Sequence, residues 1–120
     1  MASRGRQFRE ILKEPGILIS PGVFDGYSTR LVEAMGFKVG AISGAGVSES
    51  RLGWADRGVM SFETNLDNAR RLADCCDKLL LRADADTGYG NAMTIHFVVR
   101  AFEKAGVAAL MFEDQVWPDR

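Results

Sequence analysis

Two aspartates stand two residues apart in Asp84-Ala85-Asp86-Thr87-Gly88-Tyr89-Gly90, and a third acidic group opens Glu113-Asp114-Gln115. Side chains alternate along a strand, so Asp84 and Asp86 at a strand end point the same way. Glu113, at the end of the next predicted strand, is their neighbour. Three hard oxygen donors at one mouth suit Mg²⁺, which keeps several waters and accepts few protein ligands. Without a cation the three would repel one another. Two other readings stay open: Asp86 or Thr87 caps the helix that follows, or the group is a surface acidic patch.

Ser43-Gly44-Ala45-Gly46 offers backbone N–H groups and room for a close approach, which suits a carboxylate or phosphate. It is neither a GxGxxG turn nor a Walker loop, since no Gly-Lys-Ser/Thr follows. A plain flexible connection is the alternative. Asp25 ends Pro21-Gly22-Val23-Phe24-Asp25 and is predicted to cap a helix. His96 falls mid-helix and reads as structural or surface. Cys75 and Cys76 are adjacent and lack CxxC spacing, so they read as reduced thiols, one of them packed in a core. No Ser-His-Asp set is present, and no nucleophile stands out.

The elements that position these groups alternate. Helices are predicted over 7–13, 28–35, 61–75 and 93–104, and apolar strands over 17–23, 38–43, 78–83 and 107–112. Residues 44–58 read as a long Gly-rich connection. In the helix over 28–35, Leu31, Val32 and Met35 form the apolar spacing, and Gly36 ends it. In the helix over 93–104, Ile95, Phe97, Val98, Phe102 and Ala105 are expected to face inward. Strands without polar alternation, separated by helices, mean a parallel sheet covered on both faces. Function gathers at the carboxyl ends of such strands. Four strands are half of a (β/α)8 barrel, which leaves two open edges and an uncovered inner face. The chain reads as one partial domain over 1–120, a piece of a longer barrel in preference to a small open sheet.

Composition excludes several classes. Fifteen basic and sixteen acidic residues give a formal charge of -1, against a basic field for nucleic acid. No apolar run approaches the ~20 residues of a membrane helix. Residues 1–13 lack the apolar block of a secretory signal. A cytoplasmic location is expected, with Arg4, Arg6 and Arg9 admitting a mitochondrial leader as the alternative.

In family order and spacing, Pro21-Gly22-Val23-Phe24-Asp25, Ser43-Gly44-Ala45-Gly46-Val47, Leu52-Gly53-Trp54-Ala55-Asp56, Asp84 to Gly90 and Glu113-Asp114-Gln115 resemble the isocitrate lyase / phosphoenolpyruvate mutase superfamily. The resemblance covers nearly the whole chain and the N-terminal half of the family. It implies a (β/α)8 TIM barrel, Mg²⁺ (or Mn²⁺ in its place), and a small 2-hydroxy or 2-keto carboxylic acid substrate. It implies that Asp84 binds the metal directly and touches substrate, and that Asp56, Asp86 and Glu113 hold the metal through waters. Ser43, Gly44 and Ala45 would bind the substrate carboxylate, and Asp25 would be structural. It implies a carbon–carbon lyase or decarboxylase working through a metal-stabilised pyruvate enolate, with a phosphonomutase or a non-catalytic fragment as alternatives. A homotetramer is the family's assembly.

In the family's lyases a Lys-Arg-Cys-Gly-His loop follows the Glu-Asp-Gln stretch and carries the general acid. Here Asp119 stands at the expected Lys, Arg120 matches the next position, and the Cys is absent. The 120 residues alone are expected to be inactive. Two departures lie in the strands. Arg82 replaces an apolar residue and is expected to share the inward face with Asp84 as a core charge that pairs with Asp84 or Glu113 and competes with metal. Ala41 replaces an aromatic and would enlarge the pocket.

Overall fold

The computed structural model describes residues 3–116. In order, the elements are α1 (Arg4–Ile11), β1 (Gly22–Val23), α2 (Gly26–Ala34), β2 (Val39–Ile42), α3 (Gly44–Val47), a π-helical turn (Ser48–Leu52), α4 (Phe62–Asp74), β3 (Leu80–Asp84), α5 (Ala92–Lys104) and β4 (Ala109–Met111). The strands form one parallel sheet in the order β1-β2-β3-β4. This is the expected α/β architecture, a four-stranded part of a (β/α)8 barrel. Asp119 and Arg120 lie outside the described residues. Among the described residues no helix is long and apolar enough to cross a membrane.

Helix boundaries follow from side chains that satisfy the first free N–H groups. Asp25 caps α2 in a reciprocal box with Ser28, and this holds its carboxyl below the usual range. Ser61 caps α4 by accepting from Thr64 N. Asn91 Oδ1 caps α5, accepting from Met93 N at 3.0 Å and Thr94 N at 3.1 Å. Asp86 and Thr87 are therefore not the cap of that helix.

The outer face of the sheet packs on the helices. Leu81, Ala83 and Ala85 of β3 and its extension are fully buried and join Leu72, Val98 and Phe102 in the core. Cys76 lies in this cluster, and burial pushes its thiol up to about 11. α1 crosses the end where the strands begin, with Arg4 Nη1 donating to Leu79 O at 3.2 Å. At the same end Glu33 Oε1 accepts three backbone N–H groups, from Asp77 at 2.9 Å, Lys78 at 2.6 Å and Leu79 at 3.0 Å.

Four expectations are corrected. The first strand pairs only at Gly22 and Val23, and Ile17 is 94% exposed. As an edge, β1 has a single neighbour, and residues before Pro21 have no ladder to join. Residues 44–52 are helical, where a loose connection was expected. Phe97, Leu31 and Met35 are exposed, since α5 and α2 bury only the stripes around Val98 and Val32. Arg82 does share the inward face with Asp84, but it is partly buried, not enclosed in a packed core.

Candidate functional site at the carboxyl ends of the strands

Asp84 is the last residue of β3, so its carboxylate opens at the mouth. Its Oδ1 accepts from Asp86 N at 2.9 Å. Its Oδ2 lies against Gly44, the first residue of α3, where an added Cβ would come within 2.8 Å. Only glycine lets that turn approach the carboxylate so closely. Ser43 shapes the turn: its Oγ accepts from Gly46 N at 3.0 Å and its carbonyl from Val47 N at 2.9 Å. The turn that begins at Ser43 and Gly44 therefore lies directly against the Asp84 carboxylate.

Asp86 turns back under the loop with φ 47° and is buried. Burial pushes its carboxyl up to about 6, with further upward pressure from the Asp84, Asp56 and Glu113 charges. A hydrogen bond from Tyr89 opposes the rise. Glu113 is drawn in by its backbone N–H, which donates to Asp86 O at 2.7 Å, and its carboxylate accepts from Gln115 Nε2. All four sequence-predicted carboxylates therefore share one electrostatic neighbourhood. They do not close into a cage: among the described residues no three His, Cys, Asp or Glu side chains converge as a metal-holding group.

Asp56 is positioned from the π-helical turn. Buried Ser48 Oγ donates to Trp54 O at 3.0 Å, which holds the chain just before Asp56. Arg51 ties the same turn to α4 through Asp67 at 2.6 Å. Such turns recur at functional sites because they redirect a few residues out of helical register.

Sequence reasoning missed Asn65 and Tyr89. Asn65 is 1% exposed, and its Nδ2 donates both to Asp84 O and to Tyr89 Oη, each at 2.7 Å. Tyr89, at φ 62°, packs its ring on Phe62 with centroids 5.5 Å apart and bonds Asp86 through its hydroxyl. Burial pushes the phenol up, so it stays protonated. The signal was available: Asn65 and Asn68 lie on the apolar stripe of α4 with Ala69 and Leu72, where a buried amide needs a partner. Asn68 Nδ2 finds Phe24 O at 3.3 Å. His96 is exposed on α5, as expected.

Comparison with known proteins follows the same pieces. The phosphoenolpyruvate phosphomutase family matches residues 8–119. The chain is 37% identical over 114 residues to the chloroplastic carboxyvinyl-carboxyphosphonate phosphorylmutase of Arabidopsis thaliana, covering 95% of this chain and 34% of that protein. It is 34% identical over 114 residues to the 2,3-dimethylmalate lyase of Eubacterium barkeri, covering 95% of this chain and 39% of that protein. The fold matches a structure of oxaloacetate acetylhydrolase in complex with oxalate at a TM-score of 0.92 and 34% identity, over 98% of this chain and 42% of that one. A phosphonopyruvate hydrolase complex with oxalate and Mg²⁺ matches at a TM-score of 0.90 and 29% identity, over 99% of this chain and 41% of that one. The chain therefore spans well under half the length of these relatives, which include a carbon–carbon lyase.

Proposed function

The chain belongs to the phosphoenolpyruvate phosphomutase family, and we propose that it forms the cation- and carboxylate-binding part of a Mg²⁺-dependent carbon–carbon lyase or decarboxylase. Its substrate is a small 2-hydroxy or 2-oxo di- or tricarboxylic acid. The observation that carries this reading is the contact of Gly44 with the Asp84 carboxylate, which joins an N–H turn to an acidic cluster.

The donors suit Mg²⁺ held with several waters: all are carboxylate oxygens, and they gather without forming a closed cage. Asp84 would hold the ion directly, and Asp56, Asp86 and Glu113 through water. When bound, Mg²⁺ supplies a positive centre for the charge that carbon–carbon cleavage leaves on the substrate's 2-oxygen. The protein's own part is positioning. Ser43 satisfies the Gly46 and Val47 N–H groups, which leaves those of Gly44 and Ala45 for a substrate carboxylate. Asn65 donates to the Tyr89 hydroxyl, and that hydroxyl bonds Asp86 and holds its carboxylate in place.

A cleavage of this kind also needs a proton donor for the product carbon. Cys75 and Cys76 follow α4 at the opposite end of the sheet, and burial raises both thiols. They are not that donor. A phosphonomutase is the second reading, favoured by the likeness to the Arabidopsis phosphorylmutase.

Calorimetry with Mg²⁺, with and without oxalate, on wild type and Asp84→Ala tests the site. Binding that oxalate strengthens and Asp84→Ala removes is expected. A wild-type chain that circular dichroism finds folded, and that binds no Mg²⁺, overturns the reading.

A further inference from the structure

Across the middle of the sheet Gly22, Ala41, Arg82 and Ala109 stand in register on its inward face. Three of the four carry a hydrogen or a methyl group, so the space above this row belongs to a single guanidinium. Arg82 lies on the same face as Asp84, one alternation before it along β3. Its Nη1 donates to Met111 Sδ at 3.4 Å, and Met111 is the in-register neighbour of Asp84. The side chain therefore leans along the strand and brings its charge up to the level of the carboxylates.

The thioether is a weak and neutral acceptor. Among the described residues the ion pairs are Lys13–Glu10, Lys38–Glu14, Arg51–Asp67 and Arg71–Asp67, and Arg82 is in none of them. A planar fork of donors suited to a carboxylate thus stands at the floor of the site. The walls above it are acidic through Asp56, Asp84, Asp86 and Glu113. An incoming dianion needs a positive group beyond whatever cation those walls hold, and Arg82 is the cation that the strands turn inward.

We propose that Arg82 is a substrate-binding residue that receives a second carboxylate, so that the site selects dicarboxylates over monocarboxylates. This rests on the site reading above and assigns the residue that takes the acid's second carboxylate. The turn at Gly44 and Ala45 takes one end of the acid, and the guanidinium takes the other. The small side chains of Ala41 and Ala109 leave the lumen open between them.

The test is calorimetry at saturating Mg²⁺ with two ligands, pyruvate and 3,3-difluorooxaloacetate, a four-carbon dicarboxylate that cannot enolise. Wild type is expected to bind the dicarboxylate about ten-fold more tightly, the scale of one charge-assisted bidentate contact. Arg82→Met is expected to bring the two affinities within about two-fold and to leave pyruvate unchanged. Equal affinities in wild type, or an undiminished ratio in a folded Arg82→Met chain, overturn the proposal. Where Arg82→Met does not fold, Arg82→Lys carries the test: the ratio should fall roughly three-fold as the fork is lost, and an unchanged ratio overturns the proposal. Failure of wild type to bind Mg²⁺ overturns the site reading and this inference together. Mg²⁺ binding with an unchanged ratio overturns this inference alone.

Discussion

At the end of the sheet where the strands begin, one carboxylate oxygen of Glu33 accepts three backbone N–H groups. Burial alone would raise this carboxyl, but the three donors outweigh it and hold it below its usual range. At the opposite end Asp86 is buried beside three other carboxylates and held above its usual range. The first end spends its charge on closing a junction between α2 and the start of β3. The second keeps like charges together and accepts the cost. Such crowding costs the fold stability unless something positive arrives, and that contrast separates the end that holds the molecule together from the end proposed to bind a cation.

Gly44→Ala strikes the working end hardest. A methyl group there meets Asp84 Oδ2 at 2.8 Å. The carboxylate must move, and Mg²⁺ affinity is expected to fall about 100-fold, or ~3 kcal/mol, by calorimetry. An unchanged affinity would separate the turn from the metal site. Glu33→Ala should cost about 2 kcal/mol of stability in urea titration, because three N–H groups lose their acceptor, with Mg²⁺ affinity unaltered.

Asp86→Asn should do the reverse at the other end. It should stabilise the metal-free chain by about 2 kcal/mol above pH 7 while weakening Mg²⁺ binding. The sign follows from the raised carboxyl. The folded chain prefers the proton, so this favourable contribution is complete below the unfolded value of 3.8 and is lost as pH rises through about 6. For Glu33 the carboxyl is lowered from 4.5, so its contribution is present above the unfolded value and lost as pH falls through the folded one. Urea midpoints from pH 3 to 8 for the two variants would therefore diverge from wild type in opposite directions. Parallel shifts would end the comparison. Tyr89→Phe is the mildest change: losing its bond to Asp86 should cost about 1 kcal/mol and push that carboxyl further up, as an NMR titration would register.

Much of this was legible in the residues. The runs around Leu81 and Ile42 gave the inner strands, since only apolar side chains fill both sides of a covered parallel sheet. Asp25 and Ser61 announced helix starts through their own hydrogen bonds, which are local. The carboxylates were legible as residues at the strand ends, but alternation fails at Asp86, whose φ of 47° takes it off the strand beyond Asp84. The helical stretch 44–52 was not legible: its glycines disfavour a helix, and Ser43 and the Ser48 bond to Trp54 O hold it from outside any apolar period. Asn65 was hidden because its partners, Asp84 and Tyr89, lie 19 and 24 residues away, across the sheet end. The shortness of β1 was likewise a matter of neighbours, not of its own apolar sequence.

The Asn65 amide has a consequence for protons. A backbone carbonyl only accepts, so Asp84 O compels the amide to present its nitrogen on that side. The same nitrogen reaches the Tyr89 oxygen, which then has no freedom to give its own hydrogen back. That hydrogen goes to Asp86. The row reads in one direction, and its polarity is written by a main-chain atom that no side-chain substitution erases. Because burial keeps the phenol protonated, the row fixes where each hydrogen sits and passes none of them onward.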